Sequence, residues 1–235
     1  MRRRGPVWLG PEHEFPPAES AGPGGILAIG GDLAPGRLLA AYRKGIFPWP
    51  WDEAEPMLWW CPDPRFVLYP DELRVSRTLG QRTRSARFDV RLDTAFAEVV
   101  EGCAATPRRD SGTETWITTA MKEAYVRLHE LGHAHSAEAW RGGKLAGGLY
   151  GVALGQVFFG ESMFHRETDA SKVAFVRLVR QLASWGFRLV DCQLETPHLR
   201  SFGARALPRR RFLAELREAL AQPSRPGPWT FDPAA

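Results

Sequence analysis

The chain has 235 residues, 44% of them hydrophobic and 25% charged, with a formal net charge of +4 and a pI of about 9.2. This is enough apolar content for a sizeable core in one large domain or two unequal ones, and the arginine-rich excess suits a polyanionic partner without requiring one. Cys61, Cys103 and Cys192 are odd in number and form no CxxC pair, which excludes a disulfide framework and a cysteine zinc site. Met1-Arg2-Arg3-Arg4 is followed by Gly-Pro rather than an apolar stretch, and no segment reaches bilayer-spanning length. A soluble protein of a reducing cytoplasm is the expectation.

Taken in order, residues 1–35 are rich in Pro and Gly and read as irregular, except for a short apolar strand bracketed by glycine pairs in Gly24–Leu33. Arg37 to Lys44 predicts a short helix stopped by Gly45. Phe47 to Pro64 is dense in Trp and Pro and reads as irregular and rigid, completing a small N-terminal lobe over 1–63. From Phe66 the pattern changes. Leu92 to Cys103 is amphipathic with Asp93 as its cap, and Thr118 caps a second helix ended by Gly132. Three strands follow, Ala134–Trp140, Lys144–Leu154 and Gln156–Phe164, turned by Gly142-Gly143 and Gly155. Asp169 caps a long helix running to Trp185 and closed by Gly186, then come a strand from Phe187, a short helix near His198 and a Pro208-initiated helix over 208–221. This order predicts an α+β domain over 64–235 with a mixed, mostly antiparallel sheet.

Within the strand from Phe187, Asp191 and Gln193 lie two apart and so share a face. Burying an unpaired polar group costs several kcal/mol, on the order of 2–7, so the pair either satisfies itself, amide to carboxylate, or serves a site. His129-Glu130-Leu131-Gly132-His133 matches the zinc-peptidase pattern HExxH. Gly132 falls where the helix should stop, however, which puts His133 off the face of His129, and Glu161 would be a third ligand by count only. No metal is expected, and both histidines read as structural.

The meander, long helix and next strand resemble the GNAT-like acetyltransferase arrangement, in which an acyl donor lies between two splayed strands, here 156–164 and 187–194. The loop His165–Ser171 contains no glycine to cradle a pyrophosphate, which disfavours acetyl-CoA. A catalytically silent RNA-binding module would leave Asp191, Gln193 and Glu161 unexplained. Several motifs, in chain order, closely resemble the leucyl/phenylalanyl-tRNA–protein transferase family: Gly24–Leu33 (GGILAIGGDL), Tyr42–Trp49 (YRKGIFPW), Leu58–Arg65 (LWWCPDPR), Thr115–Thr118 (TWIT), Leu128–Ser136 (LHELGHAHS), Gly160–Phe164 (GESMF), Ala170–Lys172 (ASK), Val190–Gln193 (VDCQ) and Ser201–Ala204 (SFGA). His165, Asp169 and Phe175 depart from that pattern.

The resemblance implies transfer of Leu or Phe, less readily Met, from aminoacyl-tRNA to proteins beginning with Arg or Lys, marking them for N-end rule degradation. It implies a monomer without metal or organic cofactor and without membrane association. Gln193 would orient the acceptor amine through its carbonyl oxygen while its NH2 contacts Asp191, and Asp191 would receive or relay the proton. Glu161 would read the acceptor's cationic side chain. Leu149, Phe158, Met163, Phe175, Leu178, Leu182 and Val190 would line the donor side-chain pocket, although such a stripe is ordinarily plain core. Trp49 and Trp116 would stack the terminal adenosine. Arg74, Arg77, Arg82, Arg84 and Arg87 would follow tRNA phosphates, against the ordinary reading of solvated charge.

Overall fold

The computed structural model describes residues 5–51, 53–106 and 116–233; Met1 to Arg4 and Thr115 lie outside them. Strands β1 (Val7–Leu9), β2 (Ile26–Gly30), β3 (Phe47–Pro48) and β4 (Leu58–Trp60), with helix α1 (Pro35–Arg43), build a four-stranded sheet in the order β1-β2-β4-β3. Two stretches expected to be irregular therefore contribute strands. β1 pairs in parallel with β2, and β3 pairs with β4. Strands of two or three residues are too short to display an alternation, so their partners reveal them.

The second sheet has seven strands: β5 (Arg65–Leu68), β6 (Asp89–Leu92), β7 (Ala134–Arg141), β8 (Lys144–Leu154), β9 (Val157–His165), β10 (Leu189–Gln193) and β11 (Arg205–Leu207). Their order is β11-β5-β10-β9-β8-β7-β6. Helices α2 (Arg77–Arg84), α3 (Phe96–Ala104), α4 (Thr119–Glu130), α5 (Ala170–Ser184), α6 (Pro197–Ser201) and α7 (Arg209–Leu220) complete the chain. Gly142 and Gly143 have φ of 55° and 74°, the left-handed pair a two-residue hairpin demands, and close β7 onto β8. α5 carries the chain across the sheet, so β10 runs parallel to β9, while the other neighbouring pairs are antiparallel. The result is an α+β, acyltransferase-like fold.

Alternation along β8 sorts its side chains to two layers. Tyr150, Val152 and Leu154 join α3, α4 and the N-terminal sheet in one core; Leu149 and Ala153 join α5 in the other. α7 ties the first layer together: Arg209 donates to the carbonyls of Cys61, Ala21 and Glu19, and its N–H donates to Asp63.

Thr118 caps α4 through the Met121 N–H at 3.2 Å. Asp93 is not the cap of α3, which starts after Ala95. With φ of 55°, Asp93 instead accepts from His135 Nδ1 and from the N–H groups of Ser136 and Trp229, at 2.6–2.8 Å. Asp169 occupies the N-cap position of α5 but makes no side-chain cap bond; its carboxylate pairs with Arg82 and Lys172. α4 ends at Glu130, and Gly132 turns the chain with φ of 77°. His129 therefore stacks on Phe96 and meets the Ala134 carbonyl, while His133 lies beyond the helix.

Candidate active site

β9 and β10 are paired only from Val157–Leu189 to Phe159–Asp191. Beyond that point β9 stays on β8 as far as His165. β10 instead shifts register against β5 between Asp191 and Gln193, where Gln193 has φ of 61°. A left-handed non-glycine residue at a bulge bends the strand away from its neighbour. The gap so opened holds a cavity of about 660 Å³ lined by Gly160–Met163 on one side and Asp191–Leu194 on the other.

Because the cavity passes through the sheet, its walls belong to both layers. On the α5 side it meets Leu149, Phe158, Phe175 and Val190, all buried, with the partly exposed Met163 beside them. On the other side it meets Tyr150, Glu161, Trp116 and Trp49. Leu178 and Leu182, which the family resemblance implied for the pocket, do not line it; they are buried in the core. Three and seven residues beyond Phe175 correspond to roughly 4.5 and 10.5 Å of helix rise, away from the gap.

The side chains of Asp191 and Gln193 do not pair with each other. Asp191 is fully buried, and its two oxygens accept from Arg65 Nε at 2.7 Å and Nη2 at 2.6 Å. The Arg65 guanidinium lies between the rings of Phe47 and Phe212, 4.6 and 4.7 Å from their centroids. A bidentate carboxylate partner is what allows a guanidinium to be buried so deeply. Asp191 Oδ1 also accepts from the Gln193 backbone N–H at 2.9 Å, which holds the left-handed turn. With both oxygens so engaged, the carboxylate is held as an anchor within the cavity wall. The sequence carried Arg65 only as the last residue of its Trp- and Pro-rich motif.

The Gln193 side-chain amide donates to Glu161 Oε1 at 2.9 Å. Glu161 also meets the hydroxyls of Tyr42 (2.8 Å) and Tyr125 (2.7 Å), which lie 2.7 Å from each other. Three oxygen–oxygen contacts of hydrogen-bond length thus share two hydroxyl protons. Tyr42 donates to Oε1 and Tyr125 to Oε2, which leaves the contact between the two hydroxyls short of a proton while the carboxyl is ionised. In keeping with this, the Glu161 pKa is pushed up to about 7, chiefly by burial, with the nearby Asp191 charge adding and the Tyr125, Tyr42 and Gln193 hydrogen bonds opposing. Neither tyrosine stood out in the sequence, because each occupies an apolar helical face.

Trp49 and Trp116 both reach the cavity and meet edge to face at 6.4 Å, with Trp60 tilted on Trp49 at 5.6 Å. Arg74, Arg77, Arg82, Arg84 and Arg87 do not line it. Arg74, Arg77, Arg84 and Arg87 are exposed on and around α2. Arg82 pairs with Asp169 and Arg87 with Glu167, which ties that helix to the loop before α5. His198, on α6 at the cavity wall, has its pKa lowered by burial and by the nearby positive charges of Lys172 and His165.

Residues 67–217 match the model of the leucyl/phenylalanyl-tRNA protein transferase family, and residues 31–63 match that of its N-terminal domain. A leucyl/phenylalanyl-tRNA–protein transferase of Thiobacillus denitrificans is 59% identical over 220 residues, covering 93% of this chain and 95% of that relative. One from Nitratidesulfovibrio vulgaris is 62% identical over 215 residues, 92% of this chain and 91% of its own. One from Myxococcus xanthus is 55% identical over 233 residues, 98% and 99%. Matches of this extent span both sheets and every wall of the cavity, and the chain belongs to the leucyl/phenylalanyl-tRNA–protein transferase family, an aminoacyltransferase.

Proposed function

We propose that the family's transfer of Leu or Phe runs through the gap between β9 and β10, with aminoacyl-tRNA as donor and a protein beginning with Arg or Lys as acceptor. The observation that carries this reading is a single cavity joining an apolar chamber, a carboxyl–amide pair and two tryptophans. In this reading the donor side chain fills the chamber of Leu149, Phe158, Met163, Phe175 and Val190, where an unbranched, adaptable methionine suits Leu, Phe and, less well, Met. The terminal adenosine stacks on Trp49 and Trp116. The exposed arginines of α2 follow the phosphates. The small lobe, to about residue 63, and the domain from residue 64 close on the donor from opposite sides.

The ester is already activated, so catalysis consists mainly of placement and exclusion of water. The acceptor amine has a pKa of about 7.7–8 and sheds its proton at little cost near neutrality. Gln193 presents its carbonyl oxygen to that amine, because its NH2 is committed to Glu161. The amine nitrogen attacks the ester carbon, the bond to the ribose oxygen breaks, and that oxygen leaves with a proton. Asp191 is a positioning residue: it holds the Gln193 turn and is itself fixed by Arg65. Glu161 reads the acceptor. A cationic side chain entering beside it displaces the carboxyl proton and meets a carboxylate, whereas an uncharged side chain leaves it neutral.

A monomer in a reducing cytoplasm, with transfer marking acceptors for N-end rule degradation, completes the proposal; among the described residues no helix is long and apolar enough to cross a membrane. Labelled leucyl-tRNA offered to one model protein with Arg, Lys or Ala at its N-terminus tests it. Label should pass to the first two and not the third, and pretreatment of the donor with RNase should abolish it. Equal labelling of all three would remove Glu161 from its role.

A further inference from the structure

Tyr150 lies in β8 between Leu149 and Gly151, with its ring edge to face against Phe96 and Tyr125, and its side chain is fully buried. Among the described residues its hydroxyl has no hydrogen-bond partner, although Tyr42 and Tyr125 beside it are saturated by Glu161 and by each other. A buried hydroxyl left unsatisfied is costly, and this one belongs to a residue that lines the cavity. Burial also raises its pKa well above the ordinary tyrosine value, so it remains a neutral O–H that both donates and accepts.

Successive strand residues point to opposite faces. Leu149 therefore looks into the apolar chamber while Tyr150 looks to the side of Glu161 and Trp116. On the reading given above, a donor with its side chain in the chamber and its adenosine at Trp116 must thread the sheet at this level. There it carries its ester and the ribose hydroxyl next to it. We propose that Tyr150 is a donor-binding residue whose hydroxyl, unpartnered among the described residues, hydrogen-bonds an oxygen at the ester–ribose junction of the aminoacyl-adenosine end. The arrangement suits a ligand rather than the fold: the ring carries the packing, and the hydroxyl waits for the donor.

Tyr150→Phe removes that oxygen alone and keeps every ring contact, which makes the test sharp. The variant should melt at the wild-type temperature or above it, because it deletes an unsatisfied buried group. Its kcat/KM for leucyl-tRNA should nevertheless fall about three- to tenfold, with the KM of an Arg-starting acceptor unchanged. A donor ending in 2′-deoxyadenosine, esterified at the 3′ oxygen, identifies the atom. If the Phe effect vanishes with that donor, the ribose hydroxyl is the partner; if it persists, the ester oxygen is. The proposal is overturned if the variant transfers like wild type, or if it is markedly less stable, since the hydroxyl would then be idle or already satisfied. If wild-type protein fails to use leucyl-tRNA at all, the underlying reading fails instead.

Discussion

Glu161 combines an apolar setting, three donors and one proton too few among its tyrosine neighbours, and each of these bears on how it responds to pH. Its folded pKa of about 7 stands above the usual carboxylate value of 4.5, so between the two the folded chain binds a proton that the unfolded chain does not. The corresponding stabilisation is complete below the unfolded value and is lost as pH rises through about 7. Denaturant titrations at pH 5 and pH 8 should show wild type losing more stability over this interval than Glu161→Gln, which carries no titrating group there. Identical pH dependence in the two proteins would mean that the carboxyl is ionised throughout. The sequence made Asp191, Gln193 and Glu161 visible as polar residues in strands, because period-two spacing is local. It could not show that Gln193 turns away from Asp191 toward Glu161. That depends on a left-handed φ at one residue and on Arg65, 126 positions away, neither of which leaves a local pattern.

The three long strands of the meander and α5 were legible because their lengths let alternation and helical periodicity accumulate. β5 was not, since its four residues, Arg65–Leu68, carry a buried charge where an apolar side chain would be expected. Periodicity also cannot tell a chamber wall from core on the same helix face, and Leu178 and Leu182 share a stripe with Phe175. The two classes separate on substitution. Phe175→Leu, at the cavity, should shift use of phenylalanyl- over leucyl-tRNA severalfold by enlarging the chamber. Leu182→Ala, in the core, should cost about 2–5 kcal/mol of stability and leave the donor ratio alone. A changed donor ratio in the Leu182 variant would return that residue to the chamber wall.

The N-terminal sheet reaches the site through two contacts that join distant parts of the chain. Tyr42 on α1 touches Glu161 on β9, and Phe47 on β3 covers the Arg65–Asp191 pair from one side while Phe212 on α7 covers it from the other. The N-terminal sheet and α1 are thus part of the site's construction, and the Trp- and Pro-rich segment places Trp49 at the cavity wall. The account rests on Gln193 being held, by Asp191 beneath it and Glu161 beside it, where it can receive the acceptor amine. Single-turnover transfer from saturating leucyl-tRNA to an Arg-starting peptide by Gln193→Ala tests that most directly. The account predicts a rate at least tenfold below wild type with affinity for leucyl-tRNA unchanged; a wild-type rate would contradict it.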